Sequence, residues 1–254
     1  MPKPPISAQL YTVRDQIKTD FAGTVRQLGK IGYAGVELAG YGNLSSAAEV
    51  KKACADAGVK ISGAHVGIEQ LEKELNKALD DNDAVGNKNI IIPWLNEDRR
   101  KSADDWRKFA RTCNDVATKA QPRGFTVAYH NHSFEFQTFD GKSGYDLFLE
   151  NSDPRLVKVE LDVYWLQHGG QDPAATIRKL ANRTVLVHLK DMAAGPEKRF
   201  APVGTGLLDF KSILAASEQV GAKWAVVEQD QCYDTPPLEA MRISFENLKK
   251  LGAV

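Results

Sequence analysis

Eight times over, this chain sets down a short run rich in β-branched and aromatic residues and then a longer segment with helical spacing. The runs are ISAQLYT (6–12), GVEL (35–38), VKISGAH (59–65), KNIIIPW (88–94), FTVAYH (125–130), LVKVELD (156–162), TVLVHLK (184–190) and WAVVEQD (224–230). Helical spacing marks residues 20–31, 45–57, 68–84, 102–121, 143–151, 173–181, 208–220 and 237–251. Several of these open on a cap, as in Ser102-Ala-Asp-Asp and Asp172-Pro-Ala-Ala, and several close on glycine, as at Gly58 and Gly221. Strands that alternate with helices pair in parallel through right-handed crossovers. A doubly wound open sheet would need fewer strands on this length, and no G-x-G-x-x-G follows the first run. The expected fold is therefore an α/β protein, a (β/α)₈ barrel forming one domain over residues 1–254, a usual length for that architecture.

A parallel strand buried on both faces should be almost continuously apolar. These runs are, until their last residue or two. The first offers Gln9 and Tyr11, the second Glu37, the third His65 and the fourth Trp94. The fifth ends YHNH, with His130 and His132, and Glu135 follows in the loop. The sixth ends at Asp162, the seventh carries His188, Lys190 and Asp191, and the eighth carries Glu228 and Asp230. In a (β/α)₈ barrel this is the end that bears the active site. Singly, each residue has an ordinary reading: a satisfied histidine, a helix-capping acid, a core aromatic, or a lysine paired with Glu160 or Asp191. Jointly, Glu135, Asp162, His188 and Glu228 follow four successive strands and can converge. Three carboxylates in a low-dielectric pocket repel one another unless a cation offsets them. Three carboxylates and an imidazole suit Mn²⁺, Mg²⁺, Co²⁺ or Fe²⁺, with Zn²⁺ less natural.

Charge narrows the partners. Lys+Arg and Asp+Glu are equal at 33 each, so no basic excess exists to neutralise a phosphate backbone, and a nucleic-acid partner is not expected. Cys54, Cys113 and Cys232 are scattered, with no C-x-x-C pair, which suits reduced thiols and a cytoplasmic location. The start MPKPPISAQLYTV lacks a long apolar h-region, and no apolar run approaches a membrane span.

The motifs YHNHSFEF, ELDVYW, VHLKD, PVGTGLLDF and VVEQD, in this order, resemble the sugar phosphate isomerase/epimerase family of xylose isomerase-like TIM barrels. The resemblance runs from QLYTVRD to the last helix. It implies a Glu-Asp-His-Glu metal centre, manganese foremost, with one ligand from each of strands five to eight. Asp162, His188 and Glu228 match directly. The 3-epimerases carry the first ligand at the position that here is Ala128, so Glu135 is taken as that ligand, with His130 or His132 as the alternative. Trp165 stands where those enzymes have a histidine.

The implied chemistry is removal of a proton next to a carbonyl of a keto-sugar, keto-glycoside or inosose through an enediolate, giving isomerisation, epimerisation or elimination. Glu135 or Glu228 is the expected acid/base group, with His65, His132 and Lys190 as further candidates. His130, His132, Trp165, Tyr11, Glu37 and Trp94 are the expected substrate contacts, since flat rings suit the C–H faces of a sugar. The family also implies a homo-oligomer. A non-catalytic sugar-binding barrel is the alternative. An endonuclease IV-like DNA-repair enzyme is disfavoured, because Trp165 and Pro93-Trp94 leave too few ligands for three metals. The glycines of PVGTGLLDF could serve a phosphate, but no run of basic residues accompanies them.

Overall fold

In the computed structural model, which describes residues 1–254, the eight runs close into a barrel. The strands are β1 (Ile6–Gln9), β2 (Gly35–Leu38), β3 (Lys60–His65), β4 (Asn89–Ile92), β5 (Thr126–His130), β6 (Val157–Asp162), β7 (Thr184–Leu189) and β8 (Trp224–Val227). Each pairs in parallel with the next, and β8 pairs with β1. The helices are α1 (Arg14–Ile31), α2 (Ala47–Asp56), α3 (Ile68–Val85), α4 (Ala103–Ala120), α5 (Gly144–Asn151), α6 (Val163–His168), α7 (Pro173–Lys179), α8 (Phe210–Val220) and α9 (Pro237–Lys250). None is long and apolar enough to cross a membrane.

Local chemistry sets the helix starts. Ser46 with Glu49, and Ser102 with Asp105, form reciprocal capping boxes that satisfy donors otherwise left unpaired at α2 and α4. The first turn departs from the sequence pattern. The Gln9 side chain accepts a hydrogen bond from the Tyr11 N–H at 3.1 Å, which turns the chain out of β1 into a short 3₁₀ turn, Leu10–Val13. Helix α1 then begins at Arg14 and is broken at Asp20 (φ −150°, ψ 83°), where the Phe21 N–H donates to Asn43 Oδ1. The apolar periodicity from residue 20 captured only its second piece. Helix α6 was not expected either. Its six residues are too few to show a period, and the Asp162 side chain starts it by accepting from the Trp165 N–H at 2.9 Å.

Two cores result. The larger, of 58 buried residues, fills the space between barrel wall and helices. The smaller lies apart from it: Ile91, Ala128, Leu186 and Val226 pack together. Side chains alternate along a strand, so two residues beyond Ala128, Leu186 and Val226 the same face carries His130, His188 and Glu228. The barrel interior thus changes from an apolar plug to a polar layer within one alternation.

Candidate metal centre at the barrel mouth

The polar layer has an inner ring and an outer group. In the inner ring, Glu160 Oε2 lies 3.0 Å from His130 Nδ1, 3.2 Å from His65 Nε2 and 3.1 Å from His188 Nε2. Glu37 Oε2 lies 2.7 Å from His188 Nε2, 3.2 Å from His65 Nε2 and 2.6 Å from Gln9 Nε2. Both glutamates are fully buried, and Oε1 of each has no hydrogen-bond partner. Gly63 makes room for Glu37, because a Cβ there would come within 2.6 Å of Glu37 Oε1.

The outer group gathers the far nitrogens of the same imidazoles. His188 Nδ1 is 3.0 Å from Glu228 Oε2 and 4.0 Å from Asp162 Oδ2, and His130 Nε2 is 3.6 Å from Asp162 Oδ2. Among them sits the Lys190 ammonium, 3.1 Å from Asp162, 2.7 Å from Glu228 and 2.7 Å from Asp230. Lys190 pairs with neither Glu160 nor Asp191, the partners of its ordinary reading. Registers His130↔Glu160 and Asp162↔His188 bring β5, β6 and β7 into line for this arrangement.

Protonation follows from the neighbours. Burial would raise the Glu37 carboxyl, but the imidazoles of His65 and His188 more than offset that and hold it below the usual range. Burial would lower His65, yet Glu37 and Glu160 carry it up to about 9. His188 is likewise raised against its burial by Glu160 and Glu37. His130 is held well below its ordinary value by burial and by the facing imidazoles of His188 and His132. Burial lifts Asp162 to about 6, despite Lys190 and His188. Glu228, buried as well, stays low because Lys190 and His188 are beside it.

A cavity of about 720 Å³ opens above, lined among others by His65, His130, His132, Lys190, Glu228 and Asp230. Trp94, Phe134, Trp165 and Phe200 form part of its wall, and Tyr11 and Trp94 stand at the rim, each 44% exposed.

Glu135 is not brought to this group. Its carboxylate accepts from the Tyr129 hydroxyl at 2.6 Å and the His132 N–H at 2.8 Å, beneath the loop after β5. Residues 131–133 and the start of a 3₁₀ turn, Phe134–Phe136, separate it from the end of β5 at His130. From strand five it is the His130 ring that reaches Glu160 and Asp162, while Glu135 braces the HNH loop. Glu37, expected to touch substrate, lies in the inner ring and outside the cavity lining. Glu160 was missed as a site residue. Its signal was present in VELDV, where an acid two residues before Asp162 must share the same face.

The motifs, the closed barrel and the convergent side chains agree with a comparison of families: the profile of the xylose isomerase-like TIM barrels matches residues 25–251. The chain belongs to that family. Over its full length this barrel superposes on a sugar phosphate isomerase/epimerase from Parabacteroides distasonis ATCC 8503, with a TM-score of 0.85 and 25% identity over 98% of this chain and 94% of that one. The zinc-bound IOLI protein shares the fold, with a TM-score of 0.77 and 14% identity over 97% of each chain. In sequence, the inosose dehydratase of Clostridium tetani (strain Massachusetts / E88) is 30% identical over 148 residues, covering 50% of this chain and 48% of that protein. The chain spans about half the length of the curated relatives it matches.

Proposed function

We propose that this xylose isomerase-like barrel is a divalent-metal-dependent lyase or isomerase acting next to the carbonyl of a keto-sugar or inosose. One observation carries the reading: Asp162 Oδ2, His188 Nδ1 and Glu228 Oε2, from the consecutive strands β6 to β8, lie within ligating reach of one another, with His130 Nε2 3.6 Å from Asp162 Oδ2, beneath a cavity that His130 and Glu228 line. The donor set fits a divalent ion. Oε1 of Glu37 and Oε1 of Glu160, both buried, lack a hydrogen bond. Five buried or nearly buried carboxylates (Glu37, Glu160, Asp162, Glu228, Asp230) face a single lysine and three inner imidazoles. Buried charge so unbalanced favours a cation. When bound, the ion supplies a Lewis acid that steadies negative charge growing on the carbonyl oxygen.

The chain's own residues do the rest. Glu160 places a carboxylate oxygen against one nitrogen each of His130 and His188, and Glu37 places one against the same nitrogen of His188. That keeps the N–H on the inner side and turns the other nitrogen outward, the second-sphere arrangement seen around imidazole ligands generally. Glu228 lines the cavity, ionised and within hydrogen-bond reach of Lys190. Glu228 takes the proton from carbon, and Lys190 Nζ gives one to the departing hydroxyl; the pair lies 2.7 Å apart, so charge stays neutral overall during the elimination of water. This pairing, and the likeness to inosose dehydratases, favour dehydration over epimerisation.

The test is proton exchange in D₂O. Incubated with an inosose or a keto-glycoside and Mn²⁺ or Co²⁺, the protein should introduce deuterium beside the carbonyl or release water, seen by NMR. Chelation should abolish this, and Glu228→Gln should lower it at least about a hundredfold, within the usual range for a general base. Neither exchange nor water release with any metal, or no change in Glu228→Gln, refutes the assignment.

A further inference from the structure

We propose that the substrate of this site is an uncharged carbohydrate, neither phosphorylated nor carboxylated, whose ring faces lie on the aromatic wall. This rests on the carbohydrate reading given above and adds the charge of the ligand. Two independent arrangements carry it.

The first is the loop after β7, where a phosphate would be sought. The backbone N–H groups of Gly204, Gly206 and Leu208 converge at 2.9, 2.8 and 3.2 Å, but on the side chain of Asp191. The Met192 N–H joins them at 2.8 Å. Such a cluster of amides is an anion site, and the chain fills it with its own buried carboxylate. Gly206 is required for the approach, since a Cβ there would stand 2.5 Å from Asp191 Oδ1 and 2.3 Å from the Met192 carbonyl oxygen. Nearby, Arg199 Nε is held by Glu197 at 2.5 Å.

The second is the charge of the cavity itself. Its two permanent cations are Lys190 and Arg14. Lys190 is encircled by Asp162, Glu228 and Asp230. Arg14 Nη1 donates to the carbonyls of Tyr11 and Asp230 at 2.8 and 3.1 Å, and its guanidinium lies 4.3 Å over the Tyr11 ring. With Lys190 and the divalent ion proposed above both committed to Asp162, Glu228 and Asp230, the cavity keeps no spare cation to pair with an anionic group on the substrate. The opposite wall is aromatic. Trp94 meets Phe134 edge-on at 4.9 Å and His132 at 4.8 Å; His132 lies 5.3 Å from Trp165, and Trp165 lies 5.7 Å from Phe200. This is a continuous run of rings for C–H faces; Arg100, outside the cavity lining, stacks on Phe134 and Trp94.

The test is calorimetric titration of the purified protein, with and without Mn²⁺, using three matched probes: a methyl keto-glucopyranoside, its 6-phosphate and the corresponding keto-glucuronide. The neutral probe should bind at least about tenfold more tightly than either anion, a difference of one decade in Kd. Trp165→Ala should weaken the neutral probe at least about tenfold with the circular dichroism near wild type, and Trp165→Phe, which keeps a ring against Tyr164, His168 and Phe200, should retain most of the affinity. Equal or tighter binding of the phosphate or the glucuronide overturns the charge assignment and leaves the carbohydrate reading intact. Binding of none of the three overturns both.

Discussion

Replacing Glu160 by Gln isolates the part of the site on which the rest is hung. The side chain keeps its shape, but the oxygen that faces His65, His130 and His188 at 3.0–3.2 Å loses its charge. An amide nitrogen turned to the same place would set a donor against donors. Glu160 is fully buried, so solvent cannot relieve the mismatch. Breaking a buried charge pair from one side typically costs about 3–5 kcal/mol. For a chain of this size each kcal/mol lowers Tm by roughly 2–4 °C, so a fall of roughly 10 °C is expected. The metal-free protein should show that fall in a thermal melt, and divalent-ion affinity should drop about 10–100-fold, as for other carboxylates that orient a metal-bound imidazole. Glu150→Gln is the control. Its pairing with Lys142 is half exposed, and such pairs contribute about 0–1 kcal/mol. If Glu160→Gln melts within about 2 °C of wild type and binds Mn²⁺ or Co²⁺ as tightly, the inner ring does not organise the site. Loss of all ion binding in Glu160→Gln with none lost in Glu228→Gln would move the ion to the inner ring.

Glu135→Gln addresses the loop. Burial, only partly offset by Tyr129 and the His132 N–H, raises the Glu135 carboxyl to about 7. A folded-state value above the unfolded one means that the native state holds the proton more tightly, so this group's contribution to stability is present at low pH and is lost as pH rises from about 4.5 to about 7, by up to roughly 3 kcal/mol. Urea melts across that window should be flatter in Glu135→Gln than in wild type; identical pH slopes would show that the group titrates normally. Gly63→Ala drives a methyl group towards Glu37 Oε1 at 2.6 Å and Ile91 Cδ1 at 2.8 Å, which should destabilise by about 1–3 kcal/mol and weaken ion binding. Gly67→Ala, whose Cβ would have only Glu69 Oε2 at 3.8 Å, should change stability by less than about 0.5 kcal/mol, and equal losses in the two variants would remove the steric argument.

What the chain of letters settled by itself was the barrel and the end at which its chemistry lies. Strand periodicity, glycine stops and serine caps are local signals, and eight βα units leave little choice of topology. The polar ends of the runs followed from the same pattern, which is why Asp162, His188, Glu228 and Lys190 were legible as a group. Which carboxylate stands beside which imidazole was decided only by the closed barrel. Glu135 and Glu160 are both acids close to the motifs, and nothing local separates a side chain turned under a loop from one turned into the interior. Alternation put Glu160 on the face of Asp162, while the irregular backbone after His130 carried Glu135 to Tyr129. Likewise, Asp191 in PVGTGLLDF's amide cluster joins residues 13 to 17 positions apart, and Lys190's three partners come from two other strands and their ends. Such contacts depend on strand register and barrel closure, both non-local, so a reading of neighbouring residues could name the players without assigning their partners.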